Sequence, residues 1–363
     1  METITHTLHF PHLDREIPAR EDETLFQSAR RHGVRIVGAC GGRGTCGSCV
    51  VRIGEGEVSH VNGDATGRRK WLRACQLSAR SDCTVEVAPR SLAPVVRAEA
   101  DTGTKERLPL ESPLRCKDVS LPTASLRDNL SDHDRVLRAL GDTEATVDLN
   151  AAWVLPGLLR STAHAASWSV RVFERAGELI GFAPAGTPML GLAIDLGTTN
   201  AAGFLIDLES GERLASLGIE NPQVAWGADL VSRLNHAVRG EAEARELHAA
   251  AIEAINALAH DLCFSIGSAA ADIQDVAICG NTAMHHLLLG LPVRQLGRAP
   301  FVAAVRGGMD LKARELGLAV APGAWVHVAP NVGGFVGGDH VTALLATEAE
   351  WSACGTALVM DIG

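Results

Sequence analysis

The sequence has no run approaching twenty uninterrupted apolar residues, so no segment has the length and composition of a membrane-spanning helix. Its first ten residues, METITHTLHF, lack both the basic region and the apolar core of a secretory signal. Together these absences lead to the expectation of a cytoplasmic protein with no membrane partner. Positive charge is also in deficit: Lys and Arg number 33 against 43 Asp and Glu, a net charge of −10, which argues against a nucleic-acid scaffold. The deficit is uneven, because residues 1–90 carry 13 basic against 11 acidic side chains and the remainder carries 20 against 32. With 46% hydrophobic and 21% charged residues, the composition is that of a globular chain, and 363 residues suffice for two or three domains.

Against these absences stands one concentrated feature. Cys40, Cys46 and Cys49 occur in the run C-GGRGT-C-GS-C, with Gly41, Gly42, Gly44 and Gly47 between them, and Cys75 follows in LRACQ. Glycine lets backbone wrap closely around a small inorganic core and turn N–H groups toward its sulfurs. Structural thiols and a zinc site are the competing readings. Zinc sites usually show two close Cys/His pairs, whereas here three cysteines share one loop and the fourth stands alone downstream. The spacing therefore favours a [2Fe–2S] cluster. Cys83, Cys116, Cys263, Cys279 and Cys354 are scattered and read as ordinary thiols.

Around this loop the pattern is orderly. Residues 3–9 alternate and Glu16-Ile17-Pro18 can return as a hairpin, while Asp22 to Gly33 has acidic residues at its start, arginines in its last turn and a glycine stop, the marks of a helix. Cys49 to Ile53 and Cys83 to Val87 read as strands, with Glu57 and Val58 extending the first beyond a turn. Hairpin, helix, cysteine loop, strand, cysteine and final strand resemble the β-grasp ferredoxins with one [2Fe–2S] cluster. The x5 gap departs from the plant type and looks like the adrenodoxin-like variety.

Four further segments carry the argument. Residues 91–125, with scattered prolines and no sustained period, are expected to be a partly extended linker. Residues 126–188 read as a small middle domain, with a helix capped by Ser131 or Asp132 running through Leu140, and a hairpin of Trp168–Phe173 and Glu178–Phe182 turning at Ala176-Gly177. From 189 the strand LGLAI runs into Asp195-Leu196-Gly197-Thr198-Thr199-Asn200 and a second strand ends at Leu208. This places a carboxylate, two hydroxyls and backbone N–H groups at one hairpin, a set that suits a phosphate and its Mg²⁺. Later come a long helix from Glu241, a strand at Val276–Gly280, a helix capped by Asn281-Thr282, a strand at Trp325–Val328, and a helix opened by Gly337-Gly338-Asp339. Leu358 to Gly363 repeats the strand–Asp–x–Gly pattern with Asp361 and Gly363.

The Asp195–Asn200 motif resembles the first phosphate loop of the superfamily of sugar kinases, actin and heat-shock chaperones, so residues 189–363 are expected to form the N-terminal part of an actin-like (ribonuclease H-like) ATPase fold. The combination resembles one family over nearly the whole chain: the ATP-dependent reductive activators of corrinoid proteins that serve methyltransferase systems. The resemblance rests on the cysteine loop and on SLRDNLSDHDR, LAIDLGTTN, NPQVAWGADLVSRL, GNTAMHHLLLG and PNVGGFVGGD. It implies one-electron reduction of Co(II) to Co(I) in a corrinoid protein, with an electron donor and ATP coupling. Cys40, Cys46, Cys49 and Cys75 would hold the cluster; Asp195, Gly197, Thr198, Thr199, Asp361 and Gly363 would face Mg-ATP. Because the second half of that fold does not follow Gly363, the expectation is weak or no ATPase activity and an unpaired terminal strand. A plain ferredoxin-like electron-transfer module and a corrinoid-protein-binding scaffold are the alternatives.

Lesser features receive plainer readings. Arg68-Arg69-Lys70 is read as a solvated turn, with a docking patch as the alternative. His285 and His286, adjacent on a helix, point about 100° apart and cannot chelate one ion together, so both are packing or surface residues. Asp339 faces the phosphate cleft or caps its helix.

Overall fold

The computed structural model describes residues 4–32, 34, 36, 49–61, 71–88, 91, 111–128, 130–142, 144–161, 167–227, 229–353 and 355–360. Most of the cysteine loop, including Cys40 and Cys46, lies outside the described residues, as do Arg68-Arg69-Lys70, Cys354, Asp361 and Gly363.

The first unit begins with an antiparallel pair, β1 (Thr5–Phe10) and β2 (Arg15–Arg20), followed by α1 (Leu25–Arg31), β3 (Val50–Ile53), β4 (Val58–His60), β5 (Trp71–Arg73), β6 (Leu77–Ala79) and β7 (Cys83–Val87). The main sheet runs β2-β1-β7-β3-β5, with β7 parallel to β1 and antiparallel to β3. This is the mixed sheet with one helix across it that the sequence predicts. Leu8, Phe10, Leu25, Val51 and Val85 are fully buried in its core. Val58 does not prolong β3, because β4 leaves the main sheet and pairs with β6.

The second unit takes in part of the expected linker. β8 (Leu114–Pro122) pairs with β10 (Ser167–Arg175) over nine positions, from Leu114 opposite Arg175 to Pro122 opposite Ser167. Proline content and short apolar spacing hide this strand in the sequence; its alternate residues Val119 and Leu121 nonetheless face the core. α2 (Asp132–Leu140) is capped by the Ser131 side chain, which accepts from the Asp134 N–H, and ends at left-handed Gly141. β9 (Thr146–Val147), α3 (Leu149–Leu159) and β11 (Glu178–Ala183) complete a four-stranded sheet of order β8-β10-β11-β9. Pro156 inside α3 masks that helix from sequence reading.

The third unit contains β12 (Leu190–Leu196), β13 (Asn200–Asp207), β14 (Arg213–Glu220), α4 (Leu230–Ala237), α5 (Glu241–Ser265), β15 (Ile273–Cys279), α6 (Thr282–Leu288), β16 (Met309–Lys312), α7 (Ala313–Leu316), β17 (Trp325–Val328), α8 (Gly338–Ala346) and α9 (Glu348–Ser352). Its sheet has the order β14-β13-β12-β15-β17-β16, with β12, β15 and β17 parallel. α5 buries Leu247, Ala251, Ile255, Leu258 and Leu262 at helical spacing. Full burial of each large aliphatic side chain contributes about 1.5–3 kcal/mol, so this stripe anchors the helix to β13 and β14.

Of the exposed, unpaired terminal strand expected at Ala357–Ile362, the described residues Ala357 to Met360 are not in a strand, and Leu358 and Met360 are 80% and 71% exposed. An extended segment without a neighbouring edge has no ladder to hold it.

The second and third units are joined by an ionic cluster around the buried Asp148 carboxylate. Asp148 accepts from Arg314 Nη1 at 2.8 Å and lies 3.2 Å from Lys312 Nζ, which also donates to Glu178 at 2.6 Å. Gly323 lets the chains meet, since a Cβ there would lie 1.9 Å from the Ile180 carbonyl oxygen.

Candidate functional site

The candidate residues gather in two places. In the first unit, Cys49 stands immediately before β3 and Cys75 lies in the short 3-10 turn Ala74–Gln76 between β5 and β6. The Ala74 N–H donates to the Cys49 carbonyl at 2.7 Å, which brings the two thiols to one spot with their Sγ atoms 3.2 Å apart. Both are almost wholly buried, at 1% and 5% exposure. Two thiols in contact within an apolar wall, one of them ending the sequence run that also contains Cys40 and Cys46, fit a thiolate-bound cluster. Cys83 is different: its Sγ donates to the Glu57 and Ser81 carbonyls, and burial pushes its thiol up. It is a packing residue, as expected from its spacing.

The second place is the turn between β12 and β13. Asp195, at the end of β12, is exposed beside Cys279 of β15, its register partner; their Sγ–Oδ1 distance is 3.9 Å. Burial, and then the charge of Asp195, pushes the Cys279 thiol up to about 11, so it is a neutral thiol at physiological pH. The following loop is held from behind by three side chains. Asn221 Nδ2 donates to the Gly197 carbonyl at 2.7 Å, Arg233 Nη2 donates to the Thr198 carbonyl at 2.6 Å, and Asn281 Nδ2 donates to Thr198 Oγ1 at 3.0 Å. The Asn221 N–H donates to the Thr199 carbonyl at 2.8 Å. Asn221 and Arg233 are fully buried, whereas Thr199 is exposed.

The 337–339 segment packs against Gly280–Thr282, at the start of α6. A Cβ on Gly337 would sit 2.5 Å from the Thr282 nitrogen, and the Asp339 N–H donates to the Gly280 carbonyl at 3.3 Å. Asp339 Oδ1 accepts from the Gly337 and His340 N–H groups, so its carboxylate serves the start of α8. Its charge also helps to raise the Cys279 thiol. Asp195, Gly197, Thr198 and Thr199 are thus brought together.

His285 and His286 are both buried. His286 holds the Thr282 carbonyl with Nδ1 at 2.7 Å and accepts the Ala304 N–H on Nε2 at 2.9 Å. Burial, with His286 beside it, pushes His285 down to about 4, leaving a neutral packing ring. Sequence reasoning missed Asn221 and Arg233 as supports of the loop. Their signal was the polar pair inside NPQVAWGADLVSRL, which no amphipathic stripe explains.

Comparison with known proteins defines the class first. Residues 11–80 match the model of the 2Fe-2S iron-sulfur cluster binding domain, residues 103–187 that of the RACo linker region, and residues 190–351 that of the RACo middle region. An iron–sulfur binding domain thus precedes two regions that occur in series in one family. The two RACo-region matches support that family. It is 28% identical over 345 residues to the corrinoid activation enzyme RamQ of Eubacterium limosum, covering 93% of this chain and 54% of RamQ. It is similar to the solved structure of a reductive activator for corrinoid, iron-sulfur protein, with 27% identity, a TM-score of 0.56, and coverage of 96% of this chain and 58% of the other. Over 89 residues, 23% of this chain and 25% of the relative, it is 30% identical to the propane 2-monooxygenase reductase component of Mycolicibacterium goodii. The chain therefore spans little more than half the length of its long relatives. Among the described residues, no helix is long and apolar enough to cross a membrane.

Proposed function

We propose that this chain carries the electron-transfer function of a reductive activator, delivering one electron to a corrinoid protein of a methyltransferase system and converting Co(II) to Co(I). The observation that carries this reading is the buried Cys49–Cys75 pair in a ferredoxin-type sheet, encoded in one chain with the RACo linker and middle regions. Cys40, Cys46, Cys49 and Cys75 would hold a [2Fe–2S] cluster. When bound, such a cluster accepts and releases a single electron, at about −400 mV in plant-type ferredoxins.

The residues around the cysteines serve that task physically. The apolar shell of Cys49 and Cys75 excludes water from one side of the site, and the Ala74 N–H bond to Cys49 fixes the spacing of the two thiols. Reduction of a more negative acceptor requires a second source of free energy. We assign that role to a magnesium-bound nucleotide at Asp195, Gly197, Thr198 and Thr199, in a third unit read as part of an actin-like ATPase fold. Asp361 and Gly363 belong to this proposal as a second phosphate loop. The domain division proposed with it is 1–90, 91–125, 126–188 and 189–363, with β8 assigned to the middle unit.

The test is a single-turnover assay. Reduced protein is mixed anaerobically with a Co(II) corrinoid protein, with and without Mg-ATP, and Co(I) is followed by absorbance. Co(I) formation is expected, and a change in it on adding Mg-ATP supports the activator reading; reduction indifferent to Mg-ATP supports a plain electron-transfer module, and binding without reduction supports a scaffold.

A further inference from the structure

Arg233 is the largest fully buried side chain among the described residues and has no carboxylate within ion-pairing distance there. Its three nitrogens spend their bonds on neutral groups: Nε on the Gly227 carbonyl at 2.8 Å, Nη2 on the Thr198 carbonyl at 2.6 Å, and Nη1 against Met284 Sδ at 3.7 Å. The exposed carboxylate of Asp229 acts on it only through space. Arg135 makes the contrast, since it is equally buried but is neutralised by Asp128 at 2.6 Å. An enclosed, unneutralised guanidinium is costly, and its location directly behind the Gly197–Thr199 loop gives that cost a use.

The loop geometry follows from peptide planarity. In a trans peptide the N–H of one residue points opposite to the carbonyl of the preceding one. Asn221 and Arg233 draw the Gly197 and Thr198 carbonyls inward, so the N–H groups of Thr198 and Thr199 point outward, on the side where Thr199 is exposed. Outward N–H groups backed by a cation make an anion site. Asp195 is exposed on the same turn and repels a bare anion, so the matching ligand is a phosphate accompanied by a divalent cation.

We propose that Arg233 is the positioning residue of a magnesium–phosphate site on the Gly197–Thr199 loop, holding the Thr198 carbonyl inward and lending its positive charge through the loop to the bound phosphate. This rests on the reading of that loop as a phosphate site. It predicts a division between charge and shape that a purely structural arginine does not produce.

The test uses the full chain and magnesium pyrophosphate as the probe, with affinity measured by calorimetry for wild type, Arg233→Lys and Arg233→Gln. Arg233→Lys keeps the charge and is expected to bind within about threefold of wild type; Arg233→Gln keeps a donor without the charge and is expected to bind about tenfold more weakly or worse. Equal affinity of wild type and Arg233→Gln overturns the role of Arg233 while leaving the phosphate site standing. No binding by wild type overturns both. If the variants fail to fold, nitrogen-15 spectra of wild type decide: the Thr198 and Thr199 amides and the Arg233 Nε–H are expected to shift on adding the probe. An unmoved Arg233 signal overturns the proposal.

Discussion

Cys49 and Cys75 are 26 positions apart in sequence, and their Sγ atoms are 3.2 Å apart in the fold. The contact is made by the end of the cysteine loop meeting a single turn beyond β5, and it sits in the wall of the first unit's core rather than on its surface. Cluster binding in this chain therefore depends on packing as well as on ligand count.

Replacing Cys75 by Ser is expected to abolish a stable cluster, because one soft ligand becomes a hydroxyl. Cys83→Ser, which alters a thiol bonded to backbone carbonyls, is expected to leave cluster content unchanged. Iron and sulfide analysis of both variants checks the pair. Equal loss in both would remove the distinction drawn between these cysteines.

Asn221→Ala removes the donor to Gly197 and leaves that carbonyl without this partner in a buried setting. A lost bond of this kind costs about 1–3 kcal/mol. A lowered unfolding midpoint and weaker magnesium pyrophosphate binding are expected together. Unchanged binding in a folded variant would contradict the account of how the loop is shaped.

Asp148→Asn tests the junction between the second and third units. Burial opposes its ionisation, but hydrogen bonds from Arg314, the Asn150 N–H and Lys312 together hold the carboxyl below the ordinary range. Removing its charge leaves Lys312, itself only 9% exposed, with Glu178 as its remaining carboxylate. The expected loss is about 3 kcal/mol, read by denaturant unfolding near neutral pH. Because the folded pKa is depressed, this stabilisation is present above the unfolded value of about 3.9 and is lost as pH falls through the lower folded value.

Asp275 behaves in the opposite sense. Burial pushes its carboxyl up to about 6, opposed by Arg175 and reinforced by Asp310. A raised carboxyl favours folding most below its unfolded value, about 3.9, and that contribution is lost as pH rises to about 6. Asp275→Asn is expected to remove a pH-dependent loss on the order of 2 kcal/mol across that window. Parallel thermal melts of wild type and variant at pH 4 and pH 6.5 check it, and identical pH dependence in the two would contradict the assignment.

Much of this architecture is legible before any coordinates. Strong end signals made α2 and α5 readable: Ser131 caps the first, and the second runs without glycine or proline from Glu241 to Ser265. Alternation likewise exposed β1, β7 and the β10–β11 hairpin. The failures have physical causes. β8 was hidden because its pairing with β10 is long-range, and α3 because Pro156 sits inside it. The terminal segment was expected to be extended from local pattern and to be unpaired; its described residues 357–360 are mostly exposed and lie outside any sheet. At the site, Asp195 to Thr199 stood out because they are chemically rich and close together. Asn221 and Arg233 did not, since their role depends on a carbonyl more than twenty residues away.

The central claim is most directly tested by absorption and EPR spectra of the anaerobically purified chain, before and after one-electron reduction. The account predicts a coloured protein that gives, when reduced, a rhombic signal from one [2Fe–2S] cluster per chain. A colourless protein containing zinc, with no EPR signal on reduction, would contradict it.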